Sequence, residues 1–420
     1  MRVSFCTLGC KVNYYETQAM EELFRRAGYT VVPFGEPCEI AVVNTCTVTG
    51  ISDKKSRQML SRAHAANPNA LLVAVGCYAE VAKSTVEALP GVSLVIGTEG
   101  RKDIVSLCER ALKGQAVATD YPAPFRRKAF EELSAVQESR TRAVLKIQDG
   151  CNSFCTYCAI PFARGALRSR PFESCRKELE ALAQSGYREV VLTGIQLSAY
   201  GVDLPERPDL CDVIRLADSV PGIDRIRLGS LEPRFIDDRF LETAKACPSL
   251  CRQFHLSLQS GSDTVLARMN RRYTTDDYRT AVRRLRAAFD DVAITTDIIA
   301  GFVGETEAEH AETLAFVREI GFARIHVFPY SKRSGTKAAS MPGHLPKAVK
   351  DARAKELIAL GQTLEEAFVE SMIGKTVSVL MEDDGTGYTG NYVRVRCDGQ
   401  SGEQKTVTVF ARDGVLALGK

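Results

Sequence analysis

The chain has no apolar run long enough to cross a bilayer, no internal repeat and no low-complexity tract. The first absence excludes a helical membrane span. The others leave an ordinary globular protein, with 45% hydrophobic and 25% charged residues. It also lacks a charge excess: 55 basic against 52 acidic residues give a net charge of +3. That balance neither requires nor excludes nucleic acid, because local distribution outweighs the sum. The start, Met-Arg-Val-Ser-Phe-Cys, reads as a first strand rather than a secretion signal. The cytosol is therefore the expected compartment, and there thiols stay reduced. At 420 residues the chain is expected to hold two or three domains.

What the chain does have is fourteen cysteines. In a reducing compartment such a number points to metal more than to disulfides. Six form two triplets of different kinds. Cys151, Cys155 and Cys158 make a tight C-x-x-x-C-x-x-C run between Gly150 and Pro161. Cys10, Cys46 and Cys77 are spread out, and each ends an apolar run. Two iron–sulfur clusters with three protein ligands each are the expected reading. Four thiolates are the usual complement of a 4Fe–4S cluster, so three leave one iron open. An open position is where a metal site does chemistry. A closed structural zinc site wants four ligands. Cys6, Cys38, Cys108, Cys175, Cys211, Cys247, Cys251 and Cys397 are read as small buried hydrophobes.

The first 120 residues alternate strand and helix. Strands are expected at 2–8, 39–45, 71–76 and 92–97, and helices at 13–27 and 103–112. Asn13 with Glu16 three residues later reads as an N-cap signature, and Gly28 as the stop. Such alternation predicts an open, largely parallel sheet. Cys10, Cys46 and Cys77 then fall just beyond C-terminal strand ends, the edge where open α/β sheets bind ligands. Residues 121–142 read as a linker. From 143 to 370 a second series offers strands at 143–148, 189–193, 225–229, 253–258, 292–299 and 323–328, with helices at 173–185, 275–289 and 307–320. Six βα units predict a partial parallel barrel, and the cysteine run follows its first strand, at the catalytic end of such barrels. A long helix, 347–372, leads out. Residues 371–420 then read as a small antiparallel β-barrel with strands at 376–381, 388–395 and 406–410.

C-x-x-x-C-x-x-C with Tyr157 before its last cysteine, after the first strand of a βα barrel, resembles the radical S-adenosylmethionine (SAM) superfamily. Thr7-Leu-Gly-Cys-Lys-Val-Asn13, Asn44-Thr-Cys-Thr-Val48 and Gly76-Cys77 resemble the N-terminal cluster motifs of methylthiotransferases. Arg227–Pro233, His255–Gly261, Thr296-Asp297 and Phe328–Thr336 resemble motifs of the same family's radical domain. The resemblance covers nearly the whole chain and includes a C-terminal TRAM-like RNA-binding module. Gly-Cys-Lys-Val-Asn favours the MtaB-type branch, which acts on N6-threonylcarbamoyladenosine next to the tRNA anticodon. Val303 departs from the family, which commonly has proline there; a local loop change without loss of activity is expected.

The resemblance implies two 4Fe–4S clusters, SAM, tRNA, a reductant such as flavodoxin or ferredoxin, and a sulfur donor. It implies that SAM cleaved at the Cys151/Cys155/Cys158 cluster yields a 5′-deoxyadenosyl radical. That radical would take hydrogen from adenosine C2, which captures a methylthio group from the Cys10/Cys46/Cys77 cluster. No catalytic acid or base beyond the cluster ligands is expected. Thr193, Gly194, Ser230, Glu232, Gln259 and Asp297, at strand ends, are the candidate SAM contacts. Arg164, Arg168, Arg170, Arg271, Arg272, Lys332, Arg333, Tyr388 and Arg394 are the candidate RNA contacts. From Ser371 onward six basic and six acidic residues balance, so the last module brings no charge excess. Two alternatives stay open: the same chemistry on another substrate (isopentenyladenosine in tRNA or a ribosomal protein aspartate), and an RNA-binding protein with structural clusters only.

Overall fold

The computed structural model describes residues 1–119, 121–135 and 141–420. β1 (Arg2–Thr7), β2 (Thr30–Val32), β3 (Ile40–Thr45), β4 (Leu71–Gly76) and β5 (Val92–Gly97) form one sheet in the order β2-β1-β3-β4-β5. All four pairings are parallel. β3 and β4 are buried throughout, which their continuous apolar runs require of strands covered on both faces. Val42 and Val73 pack with Met20 and Phe24 of α1 (Lys11–Arg26) on one face. Ala41, Val43 and Ala74 pack with Leu60 of α2 (Gly50–Ala66) on the other. The edge strand β2, only three residues long, was not foreseen.

Six parallel strands follow: β6 (Arg142–Lys146), β7 (Glu189–Thr193), β8 (Arg225–Leu228), β9 (Gln253–His255), β10 (Ala293–Ala300) and β11 (Arg324–Pro329). They form two three-stranded sheets, joined by parallel bridges from Ile226 to Leu250 and from Leu231 to Leu256. This is the partial (β/α)6 barrel expected from the sequence. Outward positions such as Leu145, Leu192, Ile226, Phe254 and Ile294 belong to one continuous core. The alternate positions, including Val191, Arg227, His255, Thr295 and His326, face a central cavity, as the period of two in a strand demands.

The C-terminal strands, β12 (Thr376–Met381), β13 (Thr386–Thr389), β14 (Arg394–Arg396), β15 (Gln404–Asp413) and β16 (Leu416–Gly419), close into a barrel. Two details differ from expectation. Residues 388–395 are a hairpin rather than one strand, turning at Gly390-Asn391-Tyr392, where Tyr392 has φ +69°. β14 and β16 pair in parallel, so the barrel is not wholly antiparallel.

The segment expected as a linker is partly ordered by charge; residues 136–140 lie outside the described residues. Arg127 pairs with Glu80 at 2.9 Å. Glu131 pairs with the buried Arg101 at 2.7 Å. Val303 is buried in a satellite cluster with Val265, Phe302 and Tyr330.

Candidate functional site

Cys10, Cys46 and Cys77 follow β1, β3 and β4, the three adjacent strands at the centre of the first sheet. The strand order reverses between β1 and β3, the crevice where doubly wound sheets take ligands. Local bonds fix each loop. Asn13 Nδ2 donates to Leu8 O at 2.8 Å and to Thr45 O at 3.1 Å, tying the loops of Cys10 and Cys46 together. The Cys46 amide donates to Ser56 Oγ at 3.1 Å, and that hydroxyl donates back to the Cys46 carbonyl. Gly9 has φ +105°, and a Cβ there would lie 2.9 Å from Cys46 Sγ. Gly76 has φ +92°, and a Cβ there would meet Asn44 Oδ1 at 2.4 Å. Only glycine permits both loops.

Burial pushes the Cys77 thiol up to about 12, and nearby Cys10 and Cys46 add to the rise against the opposing pull of Arg164. Cys158 is likewise pushed to about 12 by burial, with Cys155 and Cys151 adding. A buried thiolate needs a compensating cation, which iron supplies. Among the described residues no three His, Cys, Asp or Glu side chains converge as they would on a single ion. Cluster cysteines each bind a different iron, so they stand apart around the metal group. Three thiols in each set are the donor type that an iron–sulfur cluster takes.

The second triplet is held by the strand ends above it. Gln148 Oε1 accepts from the amides of Ile195 and Gln196 at 2.8 and 2.7 Å. Gln148 Nε2 donates to the carbonyls of Asp149 and Gly150. Cys151 Sγ donates to Gln196 Oε1 at 3.3 Å. Arg271 Nη1 donates to Cys155 Sγ at 3.2 Å, and its guanidinium lies 4.7 Å from the Tyr273 ring centre.

One cavity of about 810 Å³ reaches the whole second triplet and one cysteine of the first. Cys10, Cys151, Cys155 and Cys158 all line it. It runs from the cysteine loop to Arg142 at the start of β6 and to Tyr392 of the C-terminal barrel. That volume suits a small-molecule ligand site.

The radical SAM superfamily model matches residues 145–317, and the model of the uncharacterized protein family UPF0004 matches residues 2–97. The threonylcarbamoyladenosine tRNA methylthiotransferase MtaB of Bacillus subtilis is 40% identical over 403 residues, 94% of this chain and 89% of that one. The chain belongs to the radical SAM methylthiotransferase family. MtaB of Aquifex aeolicus is 36% identical over 98% of this chain and all of its own. The tRNA-2-methylthio-N(6)-dimethylallyladenosine synthase of Pelotomaculum thermopropionicum is 33% identical over 90% of this chain and 87% of its own. Among solved structures, the radical SAM methyltransferase TsrM of Kitasatospora setae superposes with TM-score 0.60 at 16% identity, covering 80% of this chain and 77% of its own. This last likeness concerns the fold alone.

For this methylthiotransferase, Thr193, Gly194, Ser230, Glu232 and Asp297 all line the cavity. Gln259 does not; its backbone, with φ +70°, pairs instead with Asp297 and Ile299. Of the candidate RNA contacts, Arg272, Lys332 and Arg394 are exposed and Arg271 lines the cavity.

Four of the RNA candidates require correction, because they are buried within the fold. Arg164 is fully buried, pairing with Glu16 at 2.8 Å and Asp149 at 3.0 Å and donating to Asn13 Oδ1 at 2.9 Å. Arg168 is buried beside Asp149. Arg170 donates to Tyr15 Oη at 2.9 Å and pairs with Glu178. Arg333 is buried against Asp53 at 2.7 Å. None presents charge to a phosphate. Tyr388 is half-buried, stacked on Tyr392 with 4.7 Å between ring centres, with Arg142 over both rings.

The expected Asn13/Glu16 cap is a second correction. α1 starts at Lys11, and Cys10 stands at its N-cap without a side-chain bond. Asn13 and Glu16 are buried and serve the interface instead. Glu16 pairs with Arg101, Arg164 and Lys146. Burial alone would raise its pKa, but these three cations hold the carboxyl well below the usual range. The network joins the cysteine-bearing face of the first sheet to that of the barrel. Sequence reading missed Gln148, Gln196 and His326, which signal themselves only as polar residues at inward strand positions or strand ends, and it named His255 only within a motif.

Proposed function

We propose that the chain converts N6-threonylcarbamoyladenosine next to the anticodon of tRNA to its 2-methylthio form, using SAM and two 4Fe–4S clusters. The observation that carries this reading is a cavity lined by Cys151, Cys155 and Cys158 together with Cys10 of the other triplet. Relatives named for that substrate are the most similar of those reported, at 40% and 36% identity. Cys151, Cys155 and Cys158 would hold one cluster, and Cys10, Cys46 and Cys77 the other. The two clusters with SAM would supply reductive cleavage of SAM and a source of sulfur.

The chain's own residues do the positioning. Glu232 lines the cavity, and its carboxylate makes no ion pair with a described residue. It suits the SAM ammonium. Thr193, Gly194, Ser230 and Asp297 offer hydroxyl, backbone and carboxylate partners for ribose and carboxylate groups. His255 Nε2 lies 3.4 Å from Asp297 without a hydrogen bond between them. Barrel walls, the N-terminal sheet and Tyr392 line the cavity. Exposed Arg272, Lys332 and Arg394 would meet RNA phosphates, and the TRAM-like barrel would present Tyr388 and Tyr392. The reaction also needs an electron donor, such as flavodoxin or ferredoxin, and a sulfur donor. No helix among the described residues is long and apolar enough to cross a membrane; a cytoplasmic site of action is proposed.

Mass spectrometry of nucleosides from total tRNA, with and without the gene, tests the reading. Loss of 2-methylthio-N6-threonylcarbamoyladenosine with accumulation of its precursor is the expected result. Loss of the 2-methylthio form of isopentenyladenosine instead would favour the second reading, supported by the 33% identical dimethylallyladenosine synthase. An unchanged profile would turn the search to a ribosomal protein aspartate.

A further inference from the structure

Five cations line the cavity: Lys11, Arg142, Arg227, Arg271 and Arg324. Four are already engaged. Arg142 pairs with Glu189 and, at 3.5 Å, with Glu382. Arg227 pairs with Glu189 at 2.7 Å and donates to the carbonyls of Thr389 and Gly390. Arg271 is bound to Cys155 and Tyr273. Arg324 lies 3.7 Å from Glu365. Lys11 alone makes no hydrogen bond or ion pair with any described residue. It lines the same cavity as Arg142, Arg227 and Asp297. Glu189 is already shared by two guanidiniums, and Asp297 faces His255. The wall around Lys11 therefore keeps a positive surplus, and the exposed Lys11 ammonium stands at that wall, open to an incoming anion.

We infer that Lys11 forms a carboxylate subsite of the cavity, which takes the free carboxylate of the threonyl group on the substrate adenine. The inference rests on the substrate proposed above. Of the two anions brought to this cavity, the threonyl carboxylate is the better match for Lys11. Lys11 follows Cys10 on the N-terminal sheet, whereas the groups suited to SAM, Glu232, Ser230 and Thr193, sit at barrel strand ends near Cys151. The charge-assisted contact would select acid-bearing adenosines over alkylated ones, because an uncharged substituent leaves the lysine unpaired.

The test uses the full iron-loaded protein and synthetic anticodon stem–loops. One carries N6-threonylcarbamoyladenosine, the second its methyl ester and the third unmodified adenosine. Dissociation constants come from anaerobic fluorescence anisotropy, at equal iron content for wild type and variants. The wild type is expected to bind the acid about tenfold more tightly than the ester. Lys11→Gln should bind both with the affinity of the ester, and Lys11→Arg should keep the preference. The inference is overturned if Lys11→Gln still prefers the acid, or weakens acid and ester equally. It is also overturned if the variant weakens SAM binding and leaves the acid preference intact. The nucleoside profile separates the two failures. Loss of 2-methylthio-N6-threonylcarbamoyladenosine without the gene, beside an acid preference that survives in Lys11→Gln, sinks only the subsite. No loss without the gene sinks the substrate assignment itself.

Discussion

Cys151, Cys155 and Cys158 lie on one loop after one strand, whereas Cys10, Cys46 and Cys77 are each a βα unit apart and meet only once β1, β3 and β4 have paired in register. The first set is local and half-buried. In the second, Cys46 and Cys77 are buried. One design brings three thiols together through chain connectivity, the other through sheet topology. The difference teaches that the two sites answer to different parts of the fold, so they should fail separately. Cys155→Ala should abolish 5′-deoxyadenosine formation. Cys46→Ala should spare it and abolish methylthiolation. Each should lower bound iron from about eight to about four per chain. Chromatographic assay of 5′-deoxyadenosine, nucleoside mass spectrometry and iron analysis read the three effects. Methylthiolated RNA from Cys46→Ala would break the division of labour between the sets.

The two regions are joined by the Glu16 network, and cutting it sharpens the comparison. Arg164, Arg101 and Lys146 converge on one carboxylate that has no exposure. Glu16→Gln leaves three buried cations with too few anions and should cost about 3–5 kcal/mol of stability, read by chemical denaturation. The pH dependence has a definite sign. A carboxyl held below its ordinary value stabilises the fold fully above its unfolded pKa, and the contribution is lost as pH falls towards the folded pKa. The gap between wild type and Glu16→Gln should therefore be flat from about pH 8 to about pH 5 and should narrow only at more acid pH. A gap that narrowed near neutrality would show that Glu16 is not the charged hub.

Strand and helix periods carried most of the fold. The buried strands of the first sheet read as apolar runs, and the six barrel strands were found with small errors at their ends, since hydrophobic pattern is a local signal. What escaped was whatever depends on a distant partner. Arg164, Arg168 and Arg170 read as phosphate ligands because their carboxylates, Glu16, Asp149 and Glu178, come from other elements. Asn13 and Glu16 have the spacing of a helix cap and do a different job, because α1 begins two residues earlier and turns both inward. Lys11 is silent in the sequence, since only the fold brings it to the cavity wall. Thr30–Val32 and Leu416–Gly419 are too short to carry a period of two.

The smallest effect separates the buried cations from the exposed ones. Arg272 and Lys332 are free to approach phosphates, so Arg272→Ala and Lys332→Ala should each weaken stem–loop binding about two- to fivefold. Each should also lower the slope of log affinity against log salt by about one. Arg394 is exposed too, but it pairs with Asp384, so Arg394→Ala should give the lesser loss. Arg168→Ala should instead lower thermal stability and leave the salt slope unchanged, because its side chain is enclosed beside Asp149. A salt slope that fell for Arg168→Ala and held for Arg272→Ala would mean that RNA meets a face the fold keeps closed. The burial of Arg168 would then have to open on binding, and the distinction between the two sets of cations would fail.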